Sequence, residues 1–274
     1  MKLLTCILWL FIASPAFAAG ITSDAADDFI NCGTGDTMLK ENSAQSVVCI
    51  IYPISEGESS GRIISKESAA GVGVRLVVND VTAGGDAELG FQVSGGTSML
   101  NPQADGELTV NAWHIVGYAW DGGTEADNAD IYVDGSQVNY GTRQDMVTPT
   151  NNATGTIGFF NRGNADRTFD GTIMSCYVWT SQLTAAQMAW LTELPVSGDD
   201  AIPGALAYKA MSISSSLEMS MVFDAYASGI NANGLVYKDR TGTYSCTVDD
   251  GANNAGTTTE AYNLLYPVAM IQGQ

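Results

Sequence analysis

Alternation of apolar and polar residues, with frequent turn signals, dominates the chain. Ser46–Tyr52 is rich in β-branched residues and stops at Pro53; Gly61–Lys66 and Gly73–Val78 follow, the second ended by Asn79 and Asp80. Leu89–Val93 runs into Gly95 and Gly96, and Glu107–Val110 leads into Trp113–Trp120, which breaks at Asp121, Gly122 and Gly123. Ala129–Val133 closes on Asp134 and Gly135, a pair that accepts the positive φ of a tight hairpin turn, and Gln137–Tyr140 returns. Gly155–Phe159, Gly171–Trp179, Leu217–Phe223 and Gly242–Val248 complete the series. Short strands without intervening helices predict an all-β, two-layer antiparallel sandwich and not a βαβ fold.

One segment departs from the two-residue period. Leu183, Trp190, Leu191 and Leu194 recur at helical spacing, Thr184 and Gln187 form a T-x-x-Q capping box, and Pro195 ends the segment. This predicts one short helix over an edge or open end of the sandwich, burying Leu191 and Trp190.

A β-sandwich can absorb most of the 274 residues as one domain. The first eighteen read as an export signal: a basic start at Lys2, an apolar run from Leu3 to Ile12, Pro15, and the small-x-small pattern Ala16-Phe17-Ala18. The run falls well short of the ~20 apolar residues of a membrane-spanning helix. The expected organisation is therefore a signal over 1–18, a sandwich over 19–197 and an extension over 198–274 that packs back on it. Export makes the remaining cysteines disulfide candidates: Cys32, Cys49, Cys176 and Cys246, once Cys6 leaves with the signal. Three pairings are possible, and no C-x-x-C pair points to a metal or redox site.

Charge narrows the partners. Eleven Lys and Arg against 30 Asp and Glu give a net charge of −19, a field that repels phosphate backbones and excludes a nucleic-acid partner. The same field disfavours acidic polysaccharide.

The order and punctuation of the strands resemble the laminin-G-like members of the concanavalin A-like lectin/glucanase superfamily. Ser46–Pro53 is similar to the early core strand of that family, and Trp113-His114-Ile115-Val116-Gly117 followed by Asp121-Gly122 to its W-H-x-V-A…D-G strand. Tyr132-Val133-Asp134-Gly135 resembles its Y-V-D-G hairpin; Ile157-Gly158 with Phe169-Asp170-Gly171-Thr172-Ile173 resembles its I-G…F-x-G-x-I step. Leu183–Gln187 is similar to the L-S-x-x-E cap of its last helix, with Gln in place of Glu. The resemblance covers roughly 29–194 and implies a jelly-roll sandwich, often extracellular, often an adhesion or glycan-binding module.

Enzymes on such a fold need their acids or bases gathered on one sheet face. A glucanase strand would read E-x-D-x-x-E, placing carboxylates at the separations that glycoside hydrolysis requires, and no such run occurs. The only histidine, His114, shares a face with Val116, Tyr118 and Trp120, which the alternation assigns to the core; it reads as structural. Calcium is the candidate cofactor, because it takes oxygen ligands from loop carboxylates. Asp121, Glu125, Asp127, Asn128 and Asp130 crowd one loop, and Asp249, Asp250, Asn253 and Asn254 form a second cluster. Candidate sugar-stacking rings are Trp113 and Tyr132, which the alternation places together on the outer face, and Tyr140 and Phe160 near loop ends. Asn152-Ala153-Thr154 is a glycosylation sequon in a eukaryotic secretory route. The expected protein is an exported, non-catalytic adhesion or carbohydrate-binding module, secreted or at the cell surface, whose partner is a glycan or a surface protein. The alternative is a self-assembling structural subunit, with a polysaccharide hydrolase or lyase in third place.

Overall fold

The computed structural model describes residues 20–24, 28–35, 37–58, 60–68, 71–79, 85–94, 99–100, 103–141, 143–146, 154–162, 167–193, 202–223 and 236–249. The expected export signal over 1–18, Asn152 and Ala153 of the sequon, and Asp250, Asn253 and Asn254 lie outside these residues. In chain order the strands are β1 (Ile21–Asp24), β2 (Phe29–Thr34), β3 (Gln45–Pro53), β4 (Gly61–Glu67), β5 (Gly73–Asn79), β6 (Asp86–Ser94), β7 (Met99–Leu100), β8 (Gln103–Thr109) and β9 (His114–Trp120). They continue with β10 (Ala129–Val133), β11 (Ser136–Gln137), β12 (Thr156–Phe160) and β13 (Asp170–Trp179). Two helices, α1 (Ala185–Thr192) and α2 (Ile202–Ser212), precede β14 (Leu217–Val222), β15 (Val236–Lys238) and β16 (Ser245–Asp249).

The strands form two antiparallel sheets. The seven-stranded sheet runs β1-β13-β3-β9-β10-β11, with β14 sharing an edge of β13 with β1. The nine-stranded sheet runs β15-β16-β2-β12-β4-β5-β6-β7, with β8 also on β6. Inward residues of both interlock: Val47, Cys49 and Ile51 of β3 and Val116, Tyr118 and Trp120 of β9 meet Leu76, Val78, Leu89 and Phe91 across the gap. Phe91 stacks on Tyr118 with ring centroids 3.9 Å apart. As the alternation predicts, His114 lies on this side of β9.

Both disulfides join directly opposed residues of neighbouring strands. Cys49 and Cys176 link β3 to β13, and Cys32 and Cys246 link β2 to β16, which selects one of the three possible pairings.

The outer face of the seven-stranded sheet carries a second apolar layer. Val48, Ile50, Ile115, Ala119, Tyr132, Tyr177 and Trp179 point outward and are covered by Met188 and Leu191 of α1 and Leu206, Ala207 and Ala210 of α2. The predicted capping box is present: Thr184 Oγ1 accepts the Gln187 N–H, and the Gln187 side chain accepts the Thr184 N–H. Helix α2 is an element the sequence pattern does not announce. Trp190, which the helical spacing places inward, is instead 40% exposed, because Met188, Leu191 and Thr192 form the buried side of α1. Lys209 of α2 donates to the Trp190 carbonyl and lies 5.4 Å from its ring centroid.

Candidate functional site

At the end of the seven-stranded sheet away from the helix caps, one row of outward residues is half-exposed. Thr22 on β1 pairs with Thr172 on β13, and Thr172 pairs with Tyr52 on β3. Tyr52 lies beside Trp113 at the start of β9, ring centroids 5.3 Å apart and tilted by 57°. The hydroxyls of Thr22 and Thr172 are 2.8 Å apart. At strand spacings of ~4.8 Å the four positions span about 14 Å. The row thus presents two aromatic rings followed by two hydroxyls in a line.

Local bonding holds Trp113 in register. The Val110 N–H donates to the Gly85 carbonyl, and the Asn111 N–H donates to Pro53, next to Tyr52. The adjoining His114 bonds through Nδ1 to Asp134 Oδ2 at 2.7 Å and through Nε2 to the Thr109 carbonyl at 2.9 Å. Asp134 Oδ1 also accepts the Ile115 N–H. Burial opposes the charged imidazole, but the bond and charge of Asp134 and the Thr109 carbonyl outweigh it, and the His114 pKa is raised. His114 is therefore a bonded structural residue.

The remaining aromatic candidates are placed differently. Tyr132 is only 2% exposed beneath α1, so it offers no free face to a sugar; its phenol is pushed up to about 12 by burial first and then by Asp130 and Tyr140. Alternation assigned its face correctly but gave no sign of the helices that cover it. Phe160 is 1% exposed and packs in the core against Phe169, which likewise removes it. Tyr140 is half-buried: its hydroxyl accepts the Ile131 N–H, and the Arg143 guanidinium caps one ring face at 3.8 Å. Tyr52, which the sequence reading left out, takes the place of Tyr132 as the neighbour of Trp113.

Arg143 also decides the acidic loop. Its guanidinium pairs with Asp127 at 2.5 Å and approaches Asp130 at 3.7 Å. Asp121 caps its own turn by accepting the Gly123 N–H, while Asn128 offers its carbonyl to Gln182. No group of three or more His, Cys, Asp or Glu side chains is gathered for a metal among the described residues. Asp127 and Asp130 are both engaged by the Arg143 guanidinium.

The outer face of the nine-stranded sheet holds a buried polar cluster. A bulge at Ile63 brings Arg62 to the same face as Ser65 and Glu67. Arg62 Nε donates to Glu67 Oε2 at 2.9 Å, Arg75 Nη1 to Glu67 Oε1 at 2.5 Å, and Arg75 Nε to Gln92 Oε1 at 2.6 Å. The Glu67 side chain is completely buried and saturated by these two cations. A carboxylate whose two oxygens are both engaged in this way is poorly placed to attack a bond.

Two interlocked antiparallel sheets, with the aromatic and hydroxyl row on one face, define a lectin-type jelly-roll sandwich. Residues 24–189 match the laminin-G-like family model of the Concanavalin A-like lectin/glucanases superfamily, and the chain belongs to that family. No curated protein matches the chain. Among solved structures it is similar to a candidate carbohydrate binding protein from Bacteroides ovatus, with 17% identity, a TM-score of 0.54, and coverage of 92% of this chain and 61% of that one. It is also similar to a heptameric SAP-like pentraxin from Limulus polyphemus (18% identity, TM-score 0.46, 64% of this chain and 80% of that one). A third is the CBM40 of a Ruminococcus gnavus IT-sialidase, solved with α2,3 sialyllactose (10% identity, TM-score 0.43, 63% of this chain and 100% of that one). At these identities the likeness concerns the fold.

Proposed function

We propose that this chain is an exported, non-catalytic module that binds neutral carbohydrate along the Trp113–Tyr52–Thr172–Thr22 row. The carrying observation is the pair of half-exposed rings continued by two threonine hydroxyls. Aromatic faces take the apolar side of a pyranose, and the hydroxyls meet its polar edge. The lectin-type fold and the Bacteroides ovatus relative support a carbohydrate ligand, and a charge of −19 favours a neutral one. The saturated state of Glu67 supports a role without catalysis. Two disulfides support an oxidising, extracellular location, in keeping with an export signal over 1–18. Residues 198–274 are read as an extension of the sandwich, since β14 and β16 pair with β13 and β2. Retention on immobilised neutral polysaccharides tests the reading: Trp113→Ala is expected to abolish retention, and equal retention by this variant overturns it.

A second reading, a self-assembling structural subunit, is favoured by the exposed Trp190, Tyr208 and Met211 side chains on the two helices. A sedimentation experiment that finds only monomer counts against it.

A further inference from the structure

The opposite end of the same sheet carries a polar depression of about 330 Å³, between the Thr37–Ala44 loop, the end of β13 and the start of β14. We propose that it is a second carbohydrate site, seating one neutral hexose residue through two adjacent hydroxyls between Lys40 and Glu218. The inference rests on the carbohydrate-binding reading but not on the aromatic row. Its volume lies at the lower end of the ~300–1,000 Å³ typical of small-molecule sites, which suits a single ring better than an extended chain.

The pocket wall is fastened before any ligand arrives. Gln45 Nε2 donates to the carbonyls of Lys40 and Ser43, while its Oε1 accepts the Tyr118 hydroxyl. The buried Lys66 ammonium donates to the Met38 carbonyl, holding the other end of the loop. Glu218 is the extra residue of a bulge in β14, between the Val178–Met219 and Trp179–Leu217 pairs with β13.

Two charged groups in this frame remain available. Thr37 Oγ1 donates to Glu218 Oε1 at 2.9 Å and the Tyr244 hydroxyl to the same oxygen at 3.4 Å, and among the described residues no donor occupies Oε2. The Lys40 ammonium makes no ion pair among the described residues, in a chain with only eleven Lys and Arg. An ammonium only donates and a carboxylate only accepts, while a sugar hydroxyl does both. Neighbouring hydroxyls of a pyranose can therefore satisfy Lys40 and Glu218 together with charge-assisted bonds. An acidic ligand would meet Glu218 and the negative field of the whole chain. Gln45 and Tyr52 are seven positions apart on β3, about 23 Å at ~3.3 Å per residue, so one sugar cannot occupy both sites.

Calorimetric titration of the full chain with D-glucose, D-galactose, D-mannose and N-acetyl-D-glucosamine tests the site. At least one sugar is expected to bind, and Lys40→Met and Glu218→Gln each to weaken it about tenfold or more. Lys40→Arg, which keeps a cationic donor, is expected to retain most of the affinity. Repeating the titration in the Trp113→Ala background, where the aromatic row is disabled, isolates the pocket: monosaccharide binding that persists there and is lost on adding Lys40→Met belongs to the pocket. Binding of none of the four sugars, or wild-type affinity in both pocket variants, overturns the second site. Polysaccharide retention that still depends on Trp113 would show that the first reading survives this failure.

Discussion

Both ring nitrogens of His114 face acceptors, and the closer is the Asp134 carboxylate at 2.7 Å. Only the imidazolium donates from both nitrogens at once; a neutral ring leaves one nitrogen against the Thr109 carbonyl or Asp134 without a proton. The folded pKa is accordingly raised above its ordinary value of 6.5. A raised pKa stabilises the fold fully below the unfolded value, and that contribution disappears as pH climbs through the folded one. The melting temperature should fall by a few degrees from about pH 5 to about pH 8, a window in which ordinary carboxylates stay ionised. His114→Gln should flatten that slope. A wild-type slope persisting in the variant would assign it to other groups.

Trp113 and Tyr132 separate binding from packing. Trp113→Ala removes a half-exposed ring that also packs on the edge of the outer apolar layer, and should abolish polysaccharide retention at a smaller loss of stability than Tyr132→Ala. Tyr132→Ala excavates the layer beneath α1 and should cost about 3–5 kcal/mol. Tyr132→Phe should leave retention intact, as measured on the same polysaccharide matrix. Loss of retention in Tyr132→Phe would mean that its phenol reaches the ligand after all.

Glu67 holds two guanidiniums on a buried sheet face. Removing its charge leaves Arg62 and Arg75 short of an acceptor where water has little access. Glu67→Gln should therefore cost about 3–5 kcal/mol in urea denaturation. A loss below about 0.5 kcal/mol would show that the arginines find other partners.

Much of this architecture is legible in the residue pattern, for local reasons. The Asp134–Gly135 turn takes positive φ at both positions, at 49° and 87°, as the hairpin dipeptide requires. The period of β9 assigns His114, Val116, Tyr118 and Trp120 to one side and Trp113 and Ile115 to the other. Pattern alone gives the face of a residue and not what covers it, which is why Tyr132 reads as a platform and is found as core. Helix α2 contains Pro203 and Gly204 and follows a Ser- and Asp-containing stretch, so its short apolar set of Leu206, Ala207 and Ala210 carries little signal. The bulge at Ile63 breaks the two-residue period and moves Arg62 to the side opposite to the one that simple alternation assigns. Both candidate sites join segments distant in sequence: the β3–β9 register brings Tyr52 to Trp113, and the tertiary fold brings Glu218 of β14 to Thr37 in the loop before β3.

Gly117 tests how closely α1 is set on the sheet. It lies in the middle of β9, and a Cβ built there would come within 2.3 Å of the Val47 carbonyl oxygen and 3.1 Å of both Met188 Cε and Val48 Cγ2. The carbonyl belongs to the neighbouring strand β3 and cannot swing aside as a side-chain tip can. Gly117→Ala must spread β3 from β9 or lift Met188 and α1 off the sheet. Either displacement loosens well-packed contacts, and the expected cost is about 1–3 kcal/mol. Shortening Met188 at the same time, in Gly117→Ala with Met188→Ala, should recover little, because the nearer obstacle is backbone. Chemical denaturation of the single and double variants measures both quantities. Full recovery in the double variant would make the Met188 contact the controlling one and refute the backbone argument.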